Sequence, residues 1–197
     1  MNIHSTYTPD QAFQLLKDLK CPWWIAGGWA LDLFIGETTR DHEDLDIAIL
    51  RRDQFLVRDY LRNWEMRIGL GNGEISDAQW DGATYIEVPV PAIWCKQEEQ
   101  KGWAFEFLLT ESNEDHWQSR RDPSITLPLN KIGTTTASGI PYVLPEIVLS
   151  YKAKERGLEK DQDDFNKVLP LLNEKQRGWL KQTLEITNPG HAWLRHL

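Results

Sequence analysis

Residues 24–50 read WIAGGWALDLFIGETTRDHEDLDIAIL, and the order of the parts in this stretch decides the fold. An apolar run ends in Gly27 and Gly28, a short helical pattern follows from Ala30 to Ile35 and stops at Gly36, and a second apolar run holds Asp44 and Asp46. If that second run is a strand, alternation sends Asp44 and Asp46 to one face and Leu45 and Ile47 to the other. Two ionised carboxylates on one face repel unless a cation lies between them. Hard oxygen ligands of this kind suit Mg²⁺ held together with the phosphates of a substrate. The glycines supply a complementary part, because backbone N–H groups at a strand-to-helix turn approach a phosphate closely when no Cβ intervenes. Gly-Gly alone is an ordinary tight turn and Asp-x-Asp alone an ordinary solvated loop; their order between two apolar strands gives the pair its meaning.

Outward from this stretch, Thr8-Pro9-Asp10-Gln11 has the form of a helix start, with Thr8 as N-cap and Gln11 closing a capping box. Ala12, Phe13, Leu15, Leu16 and Leu19 continue at helical spacing up to Pro22, and Trp23–Ala26 reads as a strand. Asp53 caps a further helix whose stripe of Phe55, Leu56, Tyr60 and Leu61 is expected in the core. From Met66 to Trp94 the turn-rich pieces LGNGE, SDAQWDGATY and VPVPAIW predict hairpin strands and an inserted loop, with Pro89 and Pro91 indicating an edge. Residues 103–109, WAFEFLL, predict a buried strand in which Glu106 is the lone acid. Such a carboxylate must pair, emerge at a sheet end or bind metal; Glu111 is the alternative. Arg120-Arg121-Asp122-Pro123 is a charged turn. The chain changes character at Gly139 and beyond Leu144-Pro145-Glu146 is largely helical, with helices expected from Pro145 through IVLSYKAKERG, over Asp161–Leu172 and over Lys175–Ile186.

Length and charge exclude several classes. The chain of 197 residues can bury one substantial core, or a catalytic domain and a small helical one. No apolar run approaches the roughly 18 residues of a membrane span, and the start MNIHSTYTPDQ lacks the basic and apolar regions of a secretory signal, so a cytoplasmic location is expected. Cys21 and Cys95 stand apart without metal-ligand spacing and read as idle or buried thiols. A net charge of −8 argues against a long nucleic acid as partner. Several of the ten tryptophans could serve as flat walls for a base or sugar.

Gly27, Gly28, Asp44 and Asp46 resemble the signature of the DNA-polymerase-β-type nucleotidyltransferase superfamily. Residues 22–50, PWWIAGGWALDLFIGETTRDHEDLDIAIL, are similar to the corresponding segment of bacterial aminoglycoside 2''-adenylyltransferases and related small antibiotic nucleotidyltransferases. HWQSRRDP, GIPYVLPEIVLSYKAKERGLEKDQDDF and PGHAWL resemble less specific segments of the same group. Trp29 departs from the superfamily pattern by replacing a frequent Ser at the nucleotide-binding turn, which removes a hydroxyl contact to phosphate.

The resemblance implies an α/β (α+β) fold: a small mixed sheet flanked by helices in residues 1–138, and a helical C-terminal domain in residues 139–197. It also implies a Mg²⁺-dependent transfer of a nucleoside monophosphate, AMP from ATP or its equivalent from another nucleoside triphosphate, to a hydroxyl of a small acceptor such as an aminoglycoside-like antibiotic. Asp44, Asp46 and Glu106 would hold metal, Glu106 also being the nearest base, and Lys152 would contact phosphates with Asp161 and Asp164 lining the cleft. Arg40 is within reach of a phosphate or of surface pairing with Asp41 or Glu43, and His42 is not assigned as a ligand. Asp161, Asp163 and Asp164, added to the metal carboxylates, predict an acidic cleft that attracts a polycation. Two rivals remain: an enzyme modifying a protein or a tRNA end, and a catalytically silent nucleotide-binding module. The acceptor's identity and the oligomeric state are not encoded in any motif.

Overall fold

The computed structural model describes residues 7–71, 74–154 and 157–197. Residues 1–6, 72–73 of the LGNGE turn and 155–156 of the expected helix lie outside that set. The chain opens with α1 (Pro9–Leu16), in which Thr8 Oγ1 accepts the Gln11 backbone N–H and Gln11 Oε1 accepts that of Thr8. This helix is shorter than its apolar spacing implies, ending at Leu16, although Leu19 is still buried beyond it. It leads into β1 (Trp23–Ile25), α2 (Gly27–Ile35) and β2 (Asp46–Leu50). Gly36 closes α2 in the left-handed conformation, φ +94°, which favours glycine.

After α3 (Gln54–Tyr60) come β3 (Trp64–Gly71), β4 (Glu74–Gln79), β5 (Ala92–Gln97), β6 (Phe105–Asn113) and β7 (His116–Gln118). The remaining strands are β8 (Thr126–Pro128), β9 (Gly133–Thr135) and β10 (Pro141–Val143). The helical segment consists of α4 (Pro145–Lys152), α5 (Glu159–Val168) and α6 (Glu174–Thr187). The strands lie in the order β4-β3-β5-β6-β2-β1-β10-β9, with β7 pairing to β6 and β8. β2 runs parallel to β6 and β1 parallel to β10, whereas the other pairs are antiparallel. Ile47, Ile49, Phe105, Phe107 and Leu109 are fully buried at the centre. Each such side chain contributes roughly 1.5–3 kcal/mol by leaving water.

Three expectations need correction. Phe55 and Leu56 are 43% and 50% exposed, and α3 instead buries Gln54 and Val57. The polar residue is tolerated because Gln54 Oε1 accepts the Ile86 N–H at 2.7 Å and its amide donates to the Arg51 carbonyl at 2.9 Å. Pro89 and Pro91 do not mark an edge: both precede β5, which lies between β3 and β6. The sheet also continues past Gly139, since β10 pairs with β1 and β9, so the helical segment begins at Pro145. Its first helix ends at Lys152, short of Gly157, where the expected IVLSYKAKERG helix stops.

Candidate active site

Parallel pairing of β2 with β6 sets Asp46 opposite Glu106 in register, and Asp44 stands just ahead of β2 on the face shared with Asp46. Carboxylate oxygens of Asp44, Asp46 and Glu106 all lie within 4.8 Å of one another. Burial, then the charge of Asp44, pushes Asp46 up to about 6. Burial and the neighbouring Asp46 hold Glu106 well above its ordinary range, so the pair retains a proton where isolated carboxylates would have lost theirs. The three acids, with no ion pair to a basic side chain among the described residues, form a hard-oxygen site short of positive charge. That donor set fits Mg²⁺. Glu111 lies elsewhere, 2.7 Å from Arg51.

Gly27 and Gly28 are required by what packs on them. Gly27 has φ +58°, and a Cβ there would lie 1.9 Å from Asp46 Oδ2. At Gly28 it would lie 2.5 Å from Arg40 Nη2 and 2.6 Å from His42 Nδ1. The N-cap residue Ala26 supplies no side-chain hydrogen bond, and both glycines line the cleft beside Asp44 and Asp46. The first N–H groups of α2 are therefore available to an anion.

Trp29 does not line the cleft. Its indole packs on the His42 imidazole, ring centroids 4.3 Å apart, and His42 Nε2 is 2.5 Å from Asp32 Oδ2. Asp32 also accepts the Thr39 hydroxyl at 2.8 Å. Burial lowers the His42 pKa, against the opposing pull of its hydrogen bond to Asp32. Sequence reasoning passed over Asp32; its signal was the single carboxylate inside the apolar WALDLFI.

Arg40 and Lys152 reach the cleft but are already paired. Arg40 donates through Nε and Nη2 to the two carboxylate oxygens of Asp164, at 3.0 and 3.1 Å. Lys152 Nζ lies 2.8 Å from both Asp161 and Asp164. Burial opposes these charges, yet the hydrogen bonds that Lys152 donates to Asp161 and Asp164 raise its pKa, and Arg40 and Lys152 together lower that of Asp164. Asp161 and Asp164 are thus compensated, and Asp163 is exposed, so the expected acidic wall is absent on the α5 side. Instead the cleft, about 310 Å³, is walled by Ala48, Leu108, Trp117, Ile147, Val148 and Tyr151, with Arg120, Lys154 and Lys160 as further cations. Cys21 and Cys95 are buried and free, away from this cleft.

The fold is that of antibiotic nucleotidyltransferases of known structure. More particularly, residues 10–73 match the profile of the aminoglycoside-2''-adenylyltransferase family. The structure is similar to that of the lincosamide antibiotic adenylyltransferase LnuA with lincomycin bound, with a TM-score of 0.58 and 18% identity over 86% of this chain and 99% of that one. The solution structure of the antibiotic-resistance factor ANT(2'')-Ia matches at a TM-score of 0.57 and 14% identity, covering 88% of this chain and 86% of that one. ANT(2'')-Ia in complex with adenylyl-2''-tobramycin gives a TM-score of 0.55 and 14% identity, over 87% and 91% of the two chains. Comparison with curated protein sequences gives no match. Among the described residues no helix is long and apolar enough to cross a membrane.

Proposed function

We propose that this protein transfers a nucleoside monophosphate, AMP from ATP, to a hydroxyl of a small acceptor in the cytoplasm. The observation that carries the reading is the cluster of Asp44, Asp46 and Glu106 directly beside Gly27 and Gly28. Asp44, Asp46 and Glu106 would hold Mg²⁺, which when bound neutralises charge on the phosphoryl oxygens. The open N–H groups at Gly27 and Gly28 bind and orient the triphosphate, and Arg40 and Lys152 add positive potential from their ion-paired positions. The acceptor oxygen forms a bond to the α-phosphorus as the bond to the bridging oxygen breaks, and pyrophosphate leaves in line. The hydroxyl proton passes to a Glu106 carboxylate oxygen and then to solvent. Trp117 and Tyr151 form walls that orient the organic part of a ligand.

Retention of two clustered aspartates and a third acid favours an enzyme over a silent binding module, because binding alone does not require that concentration of negative charge. The test is pyrophosphate release by the purified protein with Mg²⁺, each of the four nucleoside triphosphates, and a panel of hydroxyl acceptors including lincomycin and tobramycin. Release that depends on nucleotide, acceptor and Mg²⁺, and is absent from Asp46→Asn, is the expected result. Release by none of the combinations would contradict small-acceptor transfer.

A further inference from the structure

The two sides of the carboxylate cluster are differently charged. On the Gly27 and Gly28 side, the cations Arg40 and Lys152 are bound to Asp161 and Asp164. On the Glu106 side, β7 pairs antiparallel with β6, Gln118 opposite Glu111, so the chain turns back along β6 and delivers Arg120 to the cleft. The Arg120 backbone N–H donates to the Tyr151 hydroxyl at 3.2 Å, and its guanidinium lies 5.9 Å from the centroid of the Tyr151 ring.

Neighbouring basic residues are committed elsewhere. Arg121 donates to the carbonyls of Ala153 and Tyr151 at 2.8 and 2.7 Å, and Arg51 pairs with Glu111. Arg120 and Lys154 have no ion pair among the described residues, and both line the main cleft and the adjoining hollow that extends toward Pro89. The acid in that hollow, Glu111, is already paired.

In-line displacement puts the attacking hydroxyl opposite the departing pyrophosphate. With the triphosphate on Gly27 and Gly28, the acceptor enters from the Glu106 side, between Leu108, Trp117 and Tyr151 and past the two cations. We propose that Arg120 and Lys154 select the acceptor by charge, admitting hydroxyl compounds that carry at most one positive charge and an apolar face and turning away polycationic amino sugars. This inference rests on the nucleotidyl-transfer reading. Its physical basis is that, once Mg²⁺ and the triphosphate occupy Asp44, Asp46 and Glu106, the positive charges of Arg120 and Lys154 lining the cleft oppose entry of a polycation, whereas the apolar walls reward a molecule that buries carbon there.

Calorimetric binding of lincomycin and of tobramycin to the full chain, with Mg²⁺ and a non-hydrolysable ATP analogue present, tests it. Lincomycin is expected to bind at least about tenfold more tightly than tobramycin. The double variant Arg120→Glu with Lys154→Glu should shift that ratio toward tobramycin by about tenfold or more, with Arg120→Ala in between, while affinity for the ATP analogue stays within about twofold. Both side chains are exposed, which makes the substitutions compatible with folding. Tobramycin binding as tight as lincomycin, an unchanged ratio in the double variant, or binding of neither compound would overturn the proposal. Loss of ATP-analogue affinity in Arg120→Ala would also overturn it, by placing Arg120 on the triphosphate. Failure of wild-type protein to bind the analogue with Mg²⁺ would instead remove the nucleotidyl-transfer reading, and the charge selection with it.

Discussion

Two groups of carboxylates meet at one cleft, through Asp44 and Asp46 in one and Asp161 in the other, and are treated in opposite ways. Asp161 and Asp164 are 4% and 3% exposed, and each is met by Lys152, with Arg40 completing a fork on Asp164. Asp44, Asp46 and Glu106 are half-buried, crowded within 4.8 Å, and have no basic side chain in contact among the described residues. The first group is neutralised inside the protein and fastens the segment before β2 to α4 and α5. The second is left short of positive charge, which costs stability unless a ligand supplies it. Proximity to a cleft therefore does not make an aspartate functional; lack of internal compensation is the informative property.

Exchanging one charge in each group separates these roles. Asp46→Asn is expected to lower nucleotidyl transfer by about 10⁴-fold, equivalent to roughly 5 kcal/mol of barrier, while the metal-free protein melts at the same temperature or higher. A variant that melts much earlier without metal would place Asp46 in the structural group. Asp164→Asn should do the reverse, destabilising the fold by about 3–5 kcal/mol because, among the described residues, Arg40 loses its one acidic partner and Lys152 one of two. Denaturant unfolding measures it, and a loss below about 1 kcal/mol would show that the ion pairs contribute as little as surface pairs do.

The smallest effect is in pH. Asp46 rises from its ordinary 3.8 to about 6, so its contribution to stability is fully present at low pH and is lost as pH increases through 6. Asp164 is shifted downward, and its contribution is lost as pH falls. Between pH 5 and 7.5 without divalent cations, wild type should therefore lose about 1–2 kcal/mol relative to Asp46→Asn, allowing for the partial exposure of Asp46, because the contributions of His42 and other groups are common to both proteins. Equal slopes for the two proteins would break the contrast between the groups.

Which parts were legible follows from the range of the interactions. Asp44 and Asp46 show in a period of two, and Glu106 as a lone acid in an apolar strand, because strand alternation is a local rule. The Arg40–Asp164 fork joins residues 124 positions apart, and no local pattern records it; the same acids at the start of α5 satisfy the expectation of a solvated helix end. In α3, helical spacing correctly indicates a helix but not its buried face, since the Gln54 amide is paired with the backbone of Ile86 across the chain. Strand β10 has three residues, too few for a period to appear. The packing of Trp29 on His42, next to the hydrogen bonds that Asp32 makes with His42 and Thr39, likewise depends on the chain folding back and leaves no local pattern.

The central claim is that Asp44, Asp46 and Glu106 are uncompensated because a divalent cation and a triphosphate complete them. Calorimetric titration of a non-hydrolysable ATP analogue into wild type and Asp46→Asn, each with Mg²⁺ and with chelator, tests it most directly. Binding by wild type that requires Mg²⁺ and is lost in the folded Asp46→Asn protein is the predicted result. Binding of equal strength with and without Mg²⁺, or retained in Asp46→Asn, would contradict it.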